Sequence, residues 1–462
     1  MSSQPDPNPE PQSPSWLRTL DVRARAAVKR IKSKAARYLD QRRWRHQAGT
    51  VQVMNDTKTF RPQPGLLTPA DPLNLVIDAE ASKTPTLNVL LPGINMSGLS
   101  GGPNTIYNLT YRMAAEGVPV RYLSTSSDLE GDLEPIWQHI QNLTGIHRKL
   151  DNVSFACAHN RGVEVAIGEN DVFLATAWWT AQMVKYALPL VRSERFLYII
   201  QDFEAVLHEH STAHALCLET YDLDYVPIVN HAFLLDYLKQ AGIGRFADPD
   251  FADQCTVIDP SIDRSRFYPA LEERSGPRRL LFYARPDSAK RNLYELGVAA
   301  LQYAIAAGGF EGEWEFLGMG DKIQPVDLGG GHTLRHTPWQ SFDAYAAQMR
   351  GADVLLSLML SPHPSYPPLE MAACGGLVVT NSFLNKTQEA FAAISSNIAA
   401  PPATIEGVGA ALADASQHVH DKELRLRGAE IPSPTSWDDS LKPVLLRAVE
   451  AFAACQPRRS GV

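Results

Sequence analysis

Short apolar runs bounded by small or polar residues alternate with stretches of helical periodicity from about residue 86 onward. The run at 87–92 is followed by a loop of small residues at 93–102, a helical pattern at 103–117 and a second apolar run at 118–124. A strand, a loop, a helix and a second strand in that order form a parallel α/β unit. The pattern therefore predicts a doubly wound parallel sheet in this part of the chain.

The same alternation continues toward the end of the chain and is interrupted once. Residues 260–277 are rich in proline, serine and charge, which predicts a linker. We expect two Rossmann-like domains of nearly equal size, at 86–260 and 278–435, and a final helix at 436–456 that crosses back to the first domain. The further predicted strands are 171–176, 196–201, 224–229, 256–259, 279–284, 314–318, 332–336, 353–359 and 377–380, and the predicted helices of the second domain are 292–307, a helix capped by Ser341, and 367–374.

The N-terminal region differs in composition from the rest of the chain. Residues 1–14 are rich in proline and poor in apolar groups, which predicts disorder. Apolar residues recur at helical spacings over 15–50, and 15–46 contains eleven Lys or Arg against two Asp, a local charge of +9 in a chain of net charge -8. This predicts a basic amphipathic helical arm that either lies on an anionic membrane surface or packs as a solvated helix on the protein. The remainder carries -17, which argues against nucleic acid as a partner.

Cysteine content and hydropathy indicate the cellular compartment. The five cysteines are far apart and form no C-x-x-C pair, so neither a disulfide framework nor a zinc knuckle is indicated. No apolar run reaches about 18 residues, and the N-terminus does not resemble a signal peptide. We therefore expect a cytoplasmic protein, with the arm as a candidate contact to the inner face of the cell membrane.

Residues directly after predicted strands are the site candidates, because open α/β sheets bind ligands at the carboxyl ends of their strands. No G-x-G-x-x-G follows a strand and no G-x-x-x-x-G-K-[ST] occurs, which disfavours nicotinamide dehydrogenases and P-loop NTPases. Gly101 and Gly102 precede the first predicted helix and let backbone N–H groups approach an anion or a sugar. In the second domain Arg285 follows a strand, and Lys290 and Arg291 come soon after, a cationic set suited to a diphosphate.

A proline-rich segment at 361–376 leads from one predicted strand through a short helix to the next strand. Pro367 and Pro368 suit the first turn of that helix, whose N-terminus would direct free N–H groups toward the same cleft as the cations. Glu370 lies in the same turn and is placed to accept hydrogen bonds from neighbouring hydroxyls.

Three segments of the second domain together resemble the donor half of family 4 GT-B glycosyltransferases. They are Arg285 with Lys290 and Arg291, Leu-Glu-Met-Ala-Ala-Cys-Gly-Gly at 369–376, and Val-Val-Thr-Asn at 378–381. In finer detail, residues 86–455 are similar to bacterial L-rhamnosyltransferases of the WsaF type, which build cell-surface glycans. The matching segments are Leu-Pro-Gly at 91–93, Gly-Gly-Pro-Asn-Thr at 101–105, Ala-Trp-Trp-Thr at 177–180, Gln-Asp-Phe-Glu at 201–204, Asn-His at 230–231 and Tyr-Pro-Pro-Leu-Glu at 366–370. The resemblance implies a GT-B architecture, in which two Rossmann-like doubly wound domains face each other across a cleft.

The resemblance also assigns roles to individual residues. Donor-binding residues would be Arg285, Lys290, Arg291, His363, Tyr366 and Glu370, the first three on the diphosphate and the last two on the nucleotide and its ribose. The catalytic residues would be Asp202, Arg285 and Glu370, with Asp202 beside the reacting sugar or the acceptor hydroxyl. Residues expected on the acceptor or sugar side are Gly101, Gly102, Trp178, Trp179, Asp202 and His231.

The implied activity is transfer of a sugar, L-rhamnose from dTDP-L-rhamnose, to a growing glycan that is free or lipid-linked, with retention of anomeric configuration and with no metal or other cofactor. One departure from the family pattern concerns the sugar. Family 4 enzymes carry two glutamates separated by seven residues, and eight positions before Glu370 this chain has Pro362. The missing carboxylate normally binds sugar hydroxyls, and its loss fits a deoxy sugar; His363 would take over a sugar contact.

Several residues and the whole chain have alternative interpretations. Trp178 and Trp179 could be core aromatics, and Asp202 could cap the turn that follows it. The histidines at 208–214 could bind a metal, although they lack the H-E-x-x-H spacing. The D-x-D at 222–224 is of the kind that metal-dependent transferases use, although two-residue patterns arise by chance and the arginines and helix N-terminus already neutralise a diphosphate. For the whole chain, a catalytically silent glycan-binding or scaffold protein and a GT-B nucleotide-sugar epimerase are the alternatives to a transferase.

Overall fold

The computed structural model describes residues 61–96, 101–270, 276–286, 289–320, 324–337 and 340–456. The predicted disordered segment 1–14 and the predicted arm 15–50 lie outside the described residues. The chain divides into two compact units after residue 66, and the described part of the first unit, 61–66, is a short extended stretch and a turn. All elements below belong to the second unit, 67–462.

The first domain is built on a seven-stranded sheet, counted over the described residues, with a two-stranded accessory sheet of β1 and β5. Its strands are β1 (Leu75–Ile77), β2 (Leu87–Leu91), β3 (Val120–Ser124), β4 (Val153–Cys157), β5 (Val165–Ile167), β6 (Val172–Ala175), β7 (Phe196–Ile200), β8 (Tyr225–Asn230) and β9 (Thr256–Ile258). The order across the main sheet is β4-β3-β2-β6-β7-β8-β9, and neighbouring strands are parallel. The order reverses between β2 and β6, where open α/β sheets bind ligands.

The second domain has the same design. Its strands are β10 (Arg278–Tyr283), β11 (Trp314–Met319), β12 (Val326–Gly329), β13 (His332–Thr337), β14 (Val354–Leu356), β15 (Leu377–Val379) and β16 (Ile398–Ala399). They lie in the order β12-β13-β11-β10-β14-β15-β16, and all pairings are parallel except that of β12 with β13. The order reverses between β10 and β14, which gives this sheet a ligand-binding position of its own.

Helices cover both faces of the two sheets. In the first domain they are α1 (Gly101–Ala115), α2 (Glu134–Thr144), α3 (Trp178–Ala187), α4 (Thr212–Thr220), α5 (Ala232–Gln240) and α6 (Pro249–Asp253). In the second they are α7 (Ala289–Asn292), α8 (Tyr294–Ala306), α9 (Phe342–Arg350), α10 (Tyr366–Ala373), α11 (Gln388–Ala392), α12 (Ile405–His418), α13 (Lys422–Gly428) and α14 (Trp437–Cys455). Short 3-10 turns occur at Ala81–Lys83, Leu188–Leu190, Glu204–Leu207 and Gly244–Ala247.

Burial on both faces explains why the central strands are continuous apolar runs. All five residues of β2 and all five of β7 are buried, as expected for parallel strands covered by helices on each side. The one polar residue in these two strands, Asn88, is fully buried and donates a hydrogen bond of 2.8 Å to the carboxylate of Asp171. The predicted class of two doubly wound α/β domains is therefore confirmed.

The last helix, α14, packs on the first domain although it follows the second in sequence. Ser436 caps its N-terminus by accepting a hydrogen bond from the backbone N–H of Asp439. Leu441, Val444 and Phe452 join the apolar core formed around β2, β3 and α1. Arg112 of α1 reaches Asp438 at 2.7 Å. The helix therefore ties the two domains together.

The described part of the predicted linker belongs to the second domain rather than forming a free connection. Ile262 and Phe267 are 2% and 1% exposed and lie in a core cluster of that domain. The backbone N–H of Ile262 donates to the carbonyl of Pro434 at 2.8 Å. The proline and charge content of residues 260–277 predicts a linker, but two apolar residues in this segment, Ile262 and Phe267, pack in the core of the second domain. In the described part of the chain, no helix combines the length and apolarity needed to cross a bilayer.

Candidate active site

The candidate residues of both domains meet where the carboxyl ends of the two sheets face each other. Asp202 follows β7 and His231 follows β8 in the first domain. In the second domain Arg291 lies in α7, and His363 lies in the loop between β14 and α10. Hydrogen bonds and ring contacts join these residues across the cleft.

Asp202 is the centre of the contact between the domains. Its carboxylate is 4% exposed and accepts a hydrogen bond of 2.6 Å from Nη2 of Arg291. The hydroxyl of Ser361 donates to its other oxygen, and the same hydroxyl oxygen accepts the backbone N–H of His363 at 3.0 Å. The carboxylate therefore holds both a predicted donor-binding arginine and the loop that leads into α10.

Tyr366, the first residue of α10, makes a second contact between the domains. Its hydroxyl lies 3.0 Å from Oγ1 of Thr105 and accepts a hydrogen bond of 3.2 Å from Nδ2 of Asn230. A Cβ at Gly101 would lie 3.0 Å from carbons of the Tyr366 ring, so glycine permits the close approach of α1. Gly102 is less crowded, and its carbonyl accepts from the side chain of Gln201 at 3.3 Å.

Pro367 and Pro368 lie in the first turn of α10 as predicted, but Glu370 lies one turn further along and not in the first turn as expected, because the helix begins at Tyr366. The hydroxyl of Tyr345 donates to its Oε2 at 2.6 Å. Desolvation raises the pKa of Glu370 to about 7, although the hydrogen bond from Tyr345 acts to lower it. The carboxyl group keeps acceptor capacity for a further hydroxyl.

Two histidines from opposite domains lie edge to face, with ring centroids 5.6 Å apart. Nδ1 of His231 accepts the backbone N–H of Phe233, and Nδ1 of His363 accepts that of Ser365, both at 3.0 Å. Burial lowers the pKa of each ring to about 3, so both are neutral and carry their proton on Nε2. Nε2 of His363 is buried, and none of the residues that the structure describes forms a hydrogen bond with it.

Arg285 follows β10 and is exposed. Its guanidinium lies 5.9 Å from the ring centroid of Tyr283 and 3.4 Å from the Tyr283 hydroxyl. The residues that the structure describes place no carboxylate within salt-bridge distance of it. Lys290 belongs to α7, and its side chain is outside the described set. Arg285 is therefore available for a ligand, whereas Arg291 is already paired with Asp202.

The tryptophan pair begins α3. Trp178 is 2% exposed and lies in the apolar core of the first domain, so its ring does not offer a face for sugar stacking. Trp179 is partly buried and packs edge to face against Trp178 at 5.8 Å. Both indole N–H groups are buried without a hydrogen-bond partner. The core interpretation thus accounts for Trp178.

Glu204, the fourth residue after β7 and the first of a 3-10 turn, is a titratable group that the sequence did not single out as a site residue. Its carboxylate accepts the backbone N–H of Trp178 at 2.6 Å. Burial is the largest cause that raises its pKa to about 8, with a smaller contribution from Asp202. Its position two residues after Asp202 was the available signal, but its burial depends on the packing of α3.

We expect Glu204 to make stability depend on pH. The folded chain keeps this proton to about pH 8, whereas an unfolded chain loses it near 4.5. Between these values the folded state binds the extra proton, so the stability due to Glu204 falls as pH rises. Glu204→Gln removes the titration. The free energy of unfolding of the wild type minus that of the variant should fall by roughly 2–4 kcal/mol between pH 5 and pH 8. Denaturant unfolding at several pH values measures it, and a constant difference would contradict the assignment.

The two sequence patterns considered for metal binding have other partners. Asp224 of the D-x-D forms ion pairs with Arg195 at 3.0 Å and Arg245 at 2.6 Å. Nδ1 of His214 lies 2.9 Å from the carbonyl oxygen of Ala205, and the ring of His208 packs against Trp178. Across the described ranges, no three His, Cys, Asp or Glu side chains are grouped to hold a metal ion.

Two family models match the chain. The WsaF N-terminal domain matches residues 86–232, and the WsaF C-terminal domain matches residues 278–413. A curated relative, the O-antigen biosynthesis protein RfbC of Myxococcus xanthus, is 34% identical over 279 residues. That alignment covers 60% of this chain and 20% of RfbC, so the chain spans about a fifth of the length of this relative.

Solved structures of similar fold include sucrose-phosphate synthase from Thermosynechococcus elongatus, with a TM-score of 0.50, 11% identity, and coverage of 80% of this chain and 98% of that chain. Anabaena HepE in complex with UDP-glucose has a TM-score of 0.53, 10% identity, and coverage of 80% and 99%. Identities this low concern the fold alone, which is the predicted GT-B architecture of two facing domains. Because the two WsaF domain models match in order and together cover more than half of the residues, the chain belongs to the WsaF family of GT-B glycosyltransferases.

Proposed function

We propose that the protein transfers L-rhamnose from dTDP-L-rhamnose to a growing cell-surface glycan, with retention of configuration and without a metal ion. The observation that carries the proposal is the meeting of second-domain cations and the N-terminus of α10 with Asp202 of the first domain. A donor bound on the second domain would face an acceptor presented by the first. This arrangement suits group transfer between two bound substrates.

The chemistry required is departure of a nucleoside diphosphate from an anomeric carbon. Negative charge develops on the leaving phosphate, so fixed donors at that position stabilise the transition state more than the ground state. Arg285 and Lys290 would supply these donors, and the positive end of the α10 dipole would add to their effect, although Pro367 and Pro368 in its first turn have no N–H. Closure through Asp202, Arg291 and Ser361 would exclude water from the reacting sugar.

The identity of the sugar rests on the loop between β14 and α10. Pro362 occupies the position of the first family glutamate, and the adjacent His363 has a buried, unpaired Nε2–H. A neutral hydrogen-bond donor beside an apolar proline is suited to a sugar that lacks one hydroxyl. Tyr366 and Glu370 would hold the nucleoside and its ribose.

The acceptor and the location of the protein are inferred from its family and from RfbC. RfbC is an O-antigen biosynthesis protein, which supports a glycan acceptor, free or lipid-linked. The reaction would take place in the cytoplasm at the inner face of the membrane, where the basic segment 15–46 would contact anionic lipid. Trp179 and His231 would line the acceptor side of the cleft.

Thermal stabilisation by nucleotide sugars tests the donor. A ligand that binds the folded state raises the melting temperature by mass action. We expect dTDP-L-rhamnose to stabilise the protein more than UDP-glucose or GDP-mannose, and to do so equally in EDTA. No stabilisation by any nucleotide sugar would favour the silent glycan-binding alternative. Conversion of the donor to an epimer without an acceptor would favour the epimerase.

A further inference from the structure

Lys386, in the loop between β15 and α11, is a fully buried lysine that the sequence did not mark as a site residue. A hairpin-like turn fixes its backbone, with hydrogen bonds of 2.9 Å in both directions between Phe383 and Lys386. Its Nζ donates to the carbonyl oxygen of Met359 at 2.8 Å. Asn381 holds that backbone in turn, since its Oδ1 accepts the N–H of Met359 at 2.7 Å. The ammonium group is therefore held directly beneath the loop that carries Ser361 and His363.

The ammonium group has unused hydrogen-bonding capacity. It has three N–H donors, and the described residues provide an acceptor, the Met359 carbonyl, for one of them. No carboxylate among those residues forms an ion pair with it. A buried cation without a paired anion is costly, and proteins retain such groups where a ligand completes the pairing.

The groups around Lys386 show the same excess of positive charge and of donors. Asp202 favours its charged form, and Arg291 opposes it. His363 is neutral, and its Nε2–H is unpaired, as is Nε–H of Arg291. Two cations therefore lie near one carboxylate, and Lys386, His363 and the partly exposed Arg291 each have an N–H donor without an acceptor among the described residues. Burial lowers the pKa of Lys386 to about 7, and the nearby Asp202 carboxylate offsets only part of this decrease.

We propose that Lys386 is a further donor-site residue, whose ammonium group, with Arg291, binds the diphosphate of the nucleotide-sugar donor, while the Nε2–H of His363 remains for the sugar. The inference rests on the proposed function, and adds a cation on the α11 side to those expected on the β10 side. The groups around Lys386 lack one negative charge and several hydrogen-bond acceptors, and an anion rich in acceptor oxygens supplies both. A bound diphosphate would give Arg291 a second anionic partner besides Asp202. It would also keep the Lys386 ammonium group protonated.

The test compares Lys386→Met with the wild type by calorimetric titration of dTDP and UDP, and of thymidine and uridine as phosphate-free probes. Met has a similar length without the charge, and replacing an incompletely paired buried ion by an apolar group is often neutral or stabilising. We expect the variant to bind the tighter diphosphate at least about tenfold more weakly, with nucleoside binding unchanged. The melting temperature without ligand should be unchanged or higher. Lys239→Met, at an exposed lysine paired with Asp253, is the matched control and should alter neither quantity.

The outcomes separate the two proposals. If the wild type binds dTDP or UDP and Lys386→Met binds equally well, Lys386 is not a donor-site residue, and the transferase proposal stands. If Lys386→Met and the polar variant Lys386→Gln both lose stability and bind nucleosides and diphosphates equally poorly, the lysine is structural and the inference is wrong. If the wild type binds no nucleoside diphosphate at all, the proposed function fails together with the inference.

Discussion

Replacing Arg285 by Ala should lower kcat/KM for glycosyl transfer by about 10²- to 10³-fold while leaving the melting temperature without ligand unchanged. The loss is that of a fixed cation at the position where charge develops on the leaving phosphate. The structure isolates this effect, because Arg285 is exposed and its contacts within the described residues are to the side chain of Tyr283. Steady-state kinetics with a labelled donor and a thermal melt measure the two quantities.

Arg335 on β13 provides the matched control for this variant. It is also an exposed arginine of the second domain, and the described structure shows no ion pair for it. Arg335→Ala should keep kcat/KM within about twofold of the wild type, since surface substitutions without partners have small effects. Equal losses in the two variants would indicate a general charge effect, and full activity of Arg285→Ala would remove Arg285 from the mechanism.

Replacing Asp202 by Asn should lower both activity and stability. The amide keeps the shape of the carboxylate but removes the charge opposite Arg291, and one of its atoms becomes a donor facing a donor. Breaking a buried ion pair on one side leaves an uncompensated charge, and because Arg291 is 35% exposed we expect a loss of about 1–3 kcal/mol in the free energy of unfolding. The transfer rate should fall about 100-fold because the cleft no longer closes on the donor loop.

Two further variants separate the structural part of this effect from the functional part. Asp224→Asn removes an exposed carboxylate that pairs with Arg195 and Arg245, and it should cost less than about 1 kcal/mol with no loss of activity. Adding Arg291→Met to Asp202→Asn should recover stability, since the unpaired charge is gone, without restoring transfer. An Asp202→Asn variant that is stable and fully active would contradict the role given to the contact between the domains.

The fold was largely predictable because its strands are apolar runs buried on both faces. All residues of β2 and β7 are buried, so each strand is a continuous apolar run that can be recognised in the sequence without knowing which strands pair with it. β4 was missed because four of its five residues keep some exposure and its sequence is mixed. β16 was missed because two residues are too few to show periodicity. Edge strands carry weak sequence signals for this physical reason.

The site was predictable where chemistry lies next to a strand end in the sequence. Asp202 follows β7, Arg285 follows β10, and Glu370 lies within α10, the helix after β14. The sequence alone does not identify Lys386 and Ser361 as site residues, because their roles depend on burial and on contacts with the other domain. Trp178 is the opposite case. The sequence predicted it on the acceptor side because it is part of an aromatic pair near a strand end, but it lies in the core of the first domain.

Transfer of sugar to an acceptor is the direct test of the central claim. The purified full-length protein is incubated with dTDP-L-rhamnose and a lipid-linked glycan preparation that lacks its terminal sugar, and products are analysed by mass spectrometry. The account predicts an acceptor mass increased by one deoxyhexose with release of dTDP, in EDTA as in its absence, and loss of this product in Arg285→Ala. Binding of the glycan with no consumption of any nucleotide sugar would contradict it and would assign the cleft to recognition alone.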